Sequence, residues 1–477
     1  MIRTYNIALM FVLFCASAMG QNMQILYDFD NLPQTLLLNP GSEVDYDRHF
    51  GIPLLSNIYM DLGSSNKEVS YNSVISGSNG MGEVMNKMYE LGLKENDVFV
   101  FNQQIELFNV GFRLKNPAYY LSFGMYQQLD GFSAYPPDVA NLFVRGNDQN
   151  GDGIPESDQL FVTDALNSVA ELVGVFHVGI NKKVNDKLTA GLRLKLLSGS
   201  IGLETKSNQG DYFLKINPLS DEPYVHNFEN MTTVFNSSGI LNYADLTEDL
   251  GKTDELMSGL FFINGSMGMA LDMGFTYHVN DEITVTGSIL DLGAVKFNHK
   301  LTRIDLENKQ ITSSSYYDPF EGDELDYWQG LFVAGLLPMK TSETAYTQLR
   351  SPKLNGSGRY NMKRKVKQEK RAFRNVRGDL ASDYLMSSFG MQVYTEFRPG
   401  FPLWAVTAFY SRELTNFLNA KVTYTVDRFS ATNMGLGASV HVKSFNFYTA
   451  IDNLIALPDG KNSNYQSFQF GMNFIFK

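Results

Sequence analysis

The stretch best equipped for chemistry is NDQNGDGIPESD, Asn147 to Asp158. Asp148, Asn150 and Asp152 stand at alternate positions ahead of Gly153, so a tight loop would turn their oxygens to one side. The Ile154 carbonyl and Glu156 could complete the shell. Calcium takes roughly six to eight hard oxygens and is held weakly in extracellular modules, so Ca2+ is the cofactor this donor set suggests. Where a full EF-hand loop places its bidentate glutamate, this chain has Gln159. A polar, glycine-rich surface turn explains the same residues without a metal.

Other candidates are thinner. Ser439 and His441 share a strand face at i, i+2, but nothing marks an oxyanion hole or an orienting third residue. They read as lumen polar groups, with no catalytic set and no enzyme activity. No glycine-rich phosphate loop or histidine-rich metal cluster stands out. Asn361 to Arg377 carries eight basic residues against Glu369 alone. It suits a solvated loop, or a docking site for an acidic partner. Gly131 to Ala170 holds Asp138, Asp148, Asp152, Glu156, Asp158 and Asp164 against Arg145; Asp318, Glu321, Asp323, Glu324 and Asp326 crowd a later segment. With a net charge of -12, nucleic acid is not the expected partner.

The elements that must position these residues are strands. Phe468, Phe470, Met472, Phe474 and Phe476 alternate with Ser467, Gln469, Gly471 and Asn473, with Ile475 the one apolar residue out of phase. Successive strand side chains point to opposite faces, so one side of this strand is apolar and the other polar. The pattern recurs at Val110–Leu114, Tyr119–Met125, Leu172–Ile180 and Leu188–Leu196. It is clearest in Met269, Leu271, Met273, Phe275, Tyr277 and Val279, which turn at Asn280-Asp281 into Ile283, Val285 and Ile289, with the strand ending at Asp291-Leu292-Gly293. About sixteen candidate strands emerge, and dropping the weakest pair, Asp211 to Asn217 and Val225 to Asn236, leaves fourteen.

Loop length sorts by parity. The tight turns at Asn116-Pro117, Asn185-Asp186, Asn280-Asp281 and Lys443-Ser444 fall at the end that carries Lys477; the long segments fall at the other. A transmembrane antiparallel barrel of about 14 strands (12–16) explains this asymmetry, and a soluble sandwich does not. Alternation then assigns Arg113, Arg193, Lys195, Asp272, His278, Lys421, His441 and Asp452 to the lumen, sparse and mixed in sign. Such an interior suggests paired side chains or a plug rather than an open pore.

The compartment follows from the first residues. Arg3, the apolar run Ile7–Phe14 and the small residues Ala18-Met19-Gly20 predict a cleaved signal peptide over 1–20. Cys15 lies within it, so the mature chain would contain no thiol. Residues 21–46 do not alternate and read as a plug or periplasmic segment, leaving 47–477 as an outer-membrane barrel.

Four likenesses sharpen this reading. Gln469, Gly471, Phe474 and Phe476 resemble the terminal signal read by the barrel-insertion machinery. The loop Asn147–Asp158 resembles thrombospondin-type calcium repeats. Asn39-Pro40 followed by a strand over Arg48–Met60 looks like the start of FadL- and PorV-type barrels, with Gly41 where alanine is more usual. The stretches Gly191–Gly199, Gly268–Gly293 and Met434–Leu454 resemble an uncharacterised Bacteroidota family of FadL-like barrels. That likeness implies fourteen strands, a lipid environment in the outer membrane, and uptake or passage of small hydrophobic molecules. PorV-type relatives imply the alternative, a noncatalytic scaffold among other envelope proteins in a secretion or assembly complex.

Overall fold

Two-residue periodicity becomes a curved wall in the computed structural model, which describes residues 23–29, 32–67, 69, 97–134, 136–150, 152–164, 166–239, 265–316, 339–365, 384–400, 402–454 and 463–476. The signal segment, the acidic run Asp318–Asp326, residues 366–377 of the basic stretch and Lys477 lie outside the described residues.

The chain opens with β1 (Arg48–Gly51), β2 (Ile58–Ser64), β3 (Val98–Arg113) and β4 (Tyr119–Ala134). It continues through β5 (Leu160–Val162), β6 (Asn167–Lys183), β7 (Leu188–Lys206), β8 (Asp211–Ile216), β9 (Tyr224–Glu229) and β10 (Val234–Ser238). Next come β11 (Met267–His278), β12 (Ile283–Phe297), β13 (Leu301–Leu306), β14 (Lys309–Ser313), β15 (Met339–Ser342) and β16 (Tyr346–Leu349). The last are β17 (Lys353–Lys365), β18 (Tyr384–Phe397), β19 (Pro402–Thr415), β20 (Leu418–Asp427), β21 (Asn433–Val442), β22 (Phe445–Ile451) and β23 (Tyr465–Phe476).

These strands close a fourteen-strand antiparallel barrel. β1 and β2 form one interrupted wall strand, β16 and β17 another, and β3, β4, β6, β7, β11, β12 and β18 to β23 supply the remaining twelve. Closure comes from the C-terminal strand, which pairs Arg48 with Phe476 and Ile58 with Phe470. The expected single first strand is broken at residues 52–57. Pro53 has no N–H to give a ladder, and Leu54 sits at φ 65°. The weak pair stands apart from the wall in part, as β8 and β9 of a four-stranded sheet ordered β14-β9-β8-β5. Its second strand, expected over Val225 to Asn236, stops at Glu229, and residues 234–236 belong to β10, which pairs with β7 and β13. β12 corrects one expectation: it does not stop at Gly293 but runs on to Phe297 through a bulge at Asp291, φ 62°. There Leu290 and Asp291 both turn inward, and alternation resumes in the opposite phase.

The outer face is apolar in continuous rows. Ile180, Leu192, Met273, Ile289 and Leu354 are successive cross-strand neighbours on β6, β7, β11, β12 and β17. In water these would be a large uncovered patch; in hydrocarbon each buried side chain gains about 1.5–3 kcal/mol. Phe474 and Phe476 belong to this face. Ile475 faces inward and packs with Leu36, Tyr46 and Tyr120, so its break in the pattern is a contact with the segment inside the barrel.

Candidate functional site

The lumen is occupied from its turn-bearing end by residues 23–29 and 32–47. A short helix, Thr35–Leu38, leaves carbonyls with no intrahelical partner, and the wall supplies donors for them. Arg193 donates through Nη1 to Leu36 O (2.8 Å) and through Nη2 to Leu37 O (2.5 Å). The Ser288 hydroxyl donates to Leu38 O (2.6 Å) and Asn181 Nδ2 to Pro40 O (2.8 Å). Lys421 Nζ donates to Tyr27 O. At the head of the helix, Gln34 Nε2 donates to Glu106 (3.0 Å) and to Asn473 (2.9 Å). Beyond Asn39-Pro40 the backbone presses on Gly191 and Gly274, a cross-strand pair on β7 and β11. A Cβ on Gly41 would come within 2.4 Å of the Gly274 carbonyl oxygen, which explains glycine there.

Seven of the eight predicted lumen residues divide into three groups, and His441 stands apart. Arg113 and His278 sit near the turns: Arg113 donates to Val44 O (2.6 Å) and Tyr46 O (3.0 Å), while His278 meets Glu43 at 2.8 Å. Lys421 lies against the Tyr27 carbonyl, and Asp452, on the same wall, accepts from the Ser467 hydroxyl at 3.3 Å. Arg193, Lys195 and Asp272 come together, with Arg193 Nε 2.6 Å and Lys195 Nζ 2.9 Å from Asp272 Oδ2. The Ser439 hydroxyl accepts from Asn446 Nδ2 at 2.9 Å, so its bonded partner is an amide, and His441 stands two residues on near the turn that follows. Gln469 of the terminal signal points inward to Asn57 (2.8 Å).

The interior charges are not sparse, which corrects the sequence reading. Lys195 also meets Asp291 at 2.7 Å, and Arg350 joins Asp291 (3.1 Å) to Glu171 (2.6 Å). Lys353 lies 3.5 Å from both Asp130 and Glu396, and Arg398 lies 2.5 Å from Asp130 and 3.0 Å from Glu396. Five cations and five carboxylates thus form a belt along β4, β6, β7, β11, β12 and the β16–β19 region, and each has an opposite charge within 4 Å. Alternation missed most of it for local reasons. Asp291 is turned inward by its bulge, Arg350 and Lys353 flank the strand break at Ser351-Pro352, and Arg398 follows the end of β18. Asp130 could have been found by extending the β4 pattern past Met125.

Towards the loop-bearing end the lining changes to Val98, Val100, Phe132, Ala134, Leu403, Phe429 and Tyr465. A cavity opens beside this cluster, with Gln24 on its plug side.

The calcium candidates lie at the same end, joined to the small sheet through Asn147 and Tyr212. Asp148 accepts the amides of Asp152 (3.2 Å) and Gly153 (2.6 Å), and Asp152 accepts that of Ile154 (2.9 Å). Glu156 accepts from Gln149 N (2.7 Å) and from Asn150 Nδ2 (2.6 Å). The loop is therefore closed by its own donors, and among the described residues no group of three or more His, Cys, Asp or Glu is placed to hold a metal. In that sheet, the Tyr212 hydroxyl bridges Asn147 and His226 (2.9 Å to Nδ1). Burial holds the His226 imidazole below its usual value of 6.5.

Comparison with known proteins adds a family and two distant structures. A model described as "Family of unknown function (DUF5723)" matches residues 40–452. No curated protein matches the chain. The Pseudomonas putida toluene transporter TodX is similar at 9% identity over 97% of this chain and 96% of its own, with a TM-score of 0.35. A FadL homologue from Pseudomonas aeruginosa is similar at 9% identity over 97% and 98%, with a TM-score of 0.43.

Proposed function

The chain belongs to the DUF5723 family, and we propose that it is an outer-membrane barrel through which small hydrophobic molecules pass. One observation carries the reading: the loop-end half of the lumen bears an apolar and aromatic lining against a cavity, around Val100, Leu403, Phe429 and Tyr465. The outer wall is already apolar for lipid, so a second apolar surface inside serves a different contact. The tight turns would face the periplasm and the small sheet the outside, which puts the cavity above the plug, where a molecule from the medium arrives.

The test is entry into proteoliposomes holding the full-length barrel. Toluene-sized hydrophobic solutes should reach the interior faster than through protein-free lipid, with glucose excluded. Equal rates with and without the barrel would contradict the proposal. The occupied periplasmic half favours a second reading, a noncatalytic scaffold of an envelope complex. That reading predicts a stable protein partner recovered after cross-linking in native membranes.

A further inference from the structure

The cavity carries more than an apolar wall. Asp61 lines it from β2, Tyr394 from β18, Asp427 from the end of β20, Phe429 from the turn beyond, and Tyr465 from β23. Asp61 is 1% exposed. Its oxygens accept from the Tyr59 hydroxyl and from the Asn102 backbone and side-chain nitrogens at 3.0 and 2.8 Å. Asp427 Oδ1 accepts the amides of Phe429 (2.6 Å) and Ser430 (2.8 Å), and its Oδ2 has no hydrogen-bond partner. Among the described residues no lysine, arginine or histidine nitrogen lies within 4 Å of either carboxylate, whereas a third carboxylate on the cavity, Glu396, is paired with Arg398 and Lys353.

The aromatic side is equally specific. Tyr465 is 2% exposed, and its ring stacks on Phe429 with centroids 4.6 Å apart and planes at 11°. Its hydroxyl, on the cavity, has no bonded partner among the described residues. Aromatic faces attract cations, and a carboxylate removed from water gains most from a charged hydrogen-bond donor. Beside a neutral hydrocarbon each acid can shed its charge only by taking up a proton, whereas an ammonium group supplies both a counter-charge and a hydrogen-bond donor. A bare metal ion would leave the apolar wall unused.

We propose that this cavity binds the ammonium end of a small amphiphilic amine, with its ring or chain against Phe429, Val100 and Leu403. The inference rests on the passage reading and names the class of molecule that passes.

The experiment is calorimetric titration of the full-length barrel in nanodiscs with 2-phenylethylamine and with 2-phenylethanol, subtracting empty nanodiscs. At neutral pH the amine should bind at least about tenfold tighter than the alcohol, the factor expected of one hydrogen bond to a charged group. Asp427→Asn should remove most of that preference, and Tyr465→Phe should reduce it several-fold. Asp61→Asn should act like Asp427→Asn; if it fails to show the heat-dependent gel migration of a folded barrel, Asp427→Asn carries the test alone. Equal affinity for amine and alcohol would overturn the amine assignment and leave passage of hydrophobic molecules standing. Binding of neither would overturn both. An amine preference unchanged in Asp427→Asn would place the ammonium elsewhere and overturn the site.

Discussion

Two groups of buried charge share one lumen and are built in opposite ways. In the belt, Asp291 lies between Lys195, Arg350 and Lys353, and every ion is matched. In the chamber beside Tyr465, Asp61 and Asp427 are held by hydroxyl and amide donors. Among the described residues no lysine, arginine or histidine nitrogen lies within 4 Å of either, while Glu396 on the same cavity is paired with Arg398. Matched buried charges neutralise each other, although the belt also borders a cavity lined by Arg193, Lys195, Asp291 and Lys353. Unmatched ones retain an electrostatic demand. The difference assigns the belt to holding the plug and wall in register, through Arg193 and the carbonyls of Leu36 and Leu37, and the chamber to recognition.

Substitutions should separate the two regions by size of effect. Asp291→Asn leaves three cations short of charge, and unfolding in urea from lipid bilayers should show a loss of about 3–5 kcal/mol, the range for breaking a buried pair. Next comes the plug seat beneath both regions. Gly41→Ala drives a methyl group into the Gly274 backbone and should cost about 1–3 kcal/mol, with faster proteolysis of residues 23–47 in folded barrels. Asp61→Asn loses no ion pair and should cost about 1 kcal/mol or less. Losses of equal size for Asp291→Asn and Asp61→Asn would erase the distinction.

The small sheet at the loop end provides smaller effects outside both regions. His226 has a folded pKa below its unfolded value of 6.5, so the unfolded form binds protons first. The stability that depends on neutral His226 is complete above pH 6.5 and declines as pH falls from there towards the folded value. Protection factors of residues 211–229, intrinsic exchange rates divided by the observed ones at each pH, should fall over that window, and a His226→Gln variant should not share the change. Calcium should act most weakly of all. Recruiting Asp148, Asp152 and Glu156 means displacing amides they already accept, so protection of the loop from proteolysis should require calcium at about 10⁻⁴–10⁻³ M.

How far the sequence discloses this arrangement depends on how regular the backbone is. Where β11 and β23 alternate without a break, the pattern alone gives face and register, down to Phe474 and Phe476 outside and Asp272 within. Ile475 reads as an exception only until the plug fills the space beside it. The belt escapes because its members sit where period two fails: at the Asp291 bulge, around Ser351-Pro352, and past the end of β18 at Arg398. The chamber escapes for another reason. Asp61, Asp427 and Tyr465 come from strands far apart in sequence, and only barrel closure through β23 sets them around one space.

A membrane barrel requires that the outward rows meet lipid. Trp404 lies in one of them, 46% exposed on β19, while its neighbours Leu403 and Ala405 face inward. In a Trp328→Phe background, reconstituted into bilayers of brominated phospholipid, its fluorescence should be strongly quenched relative to unbrominated lipid. Fluorescence unchanged by bromine would mean that protein or water covers this face, and the membrane barrel would be contradicted.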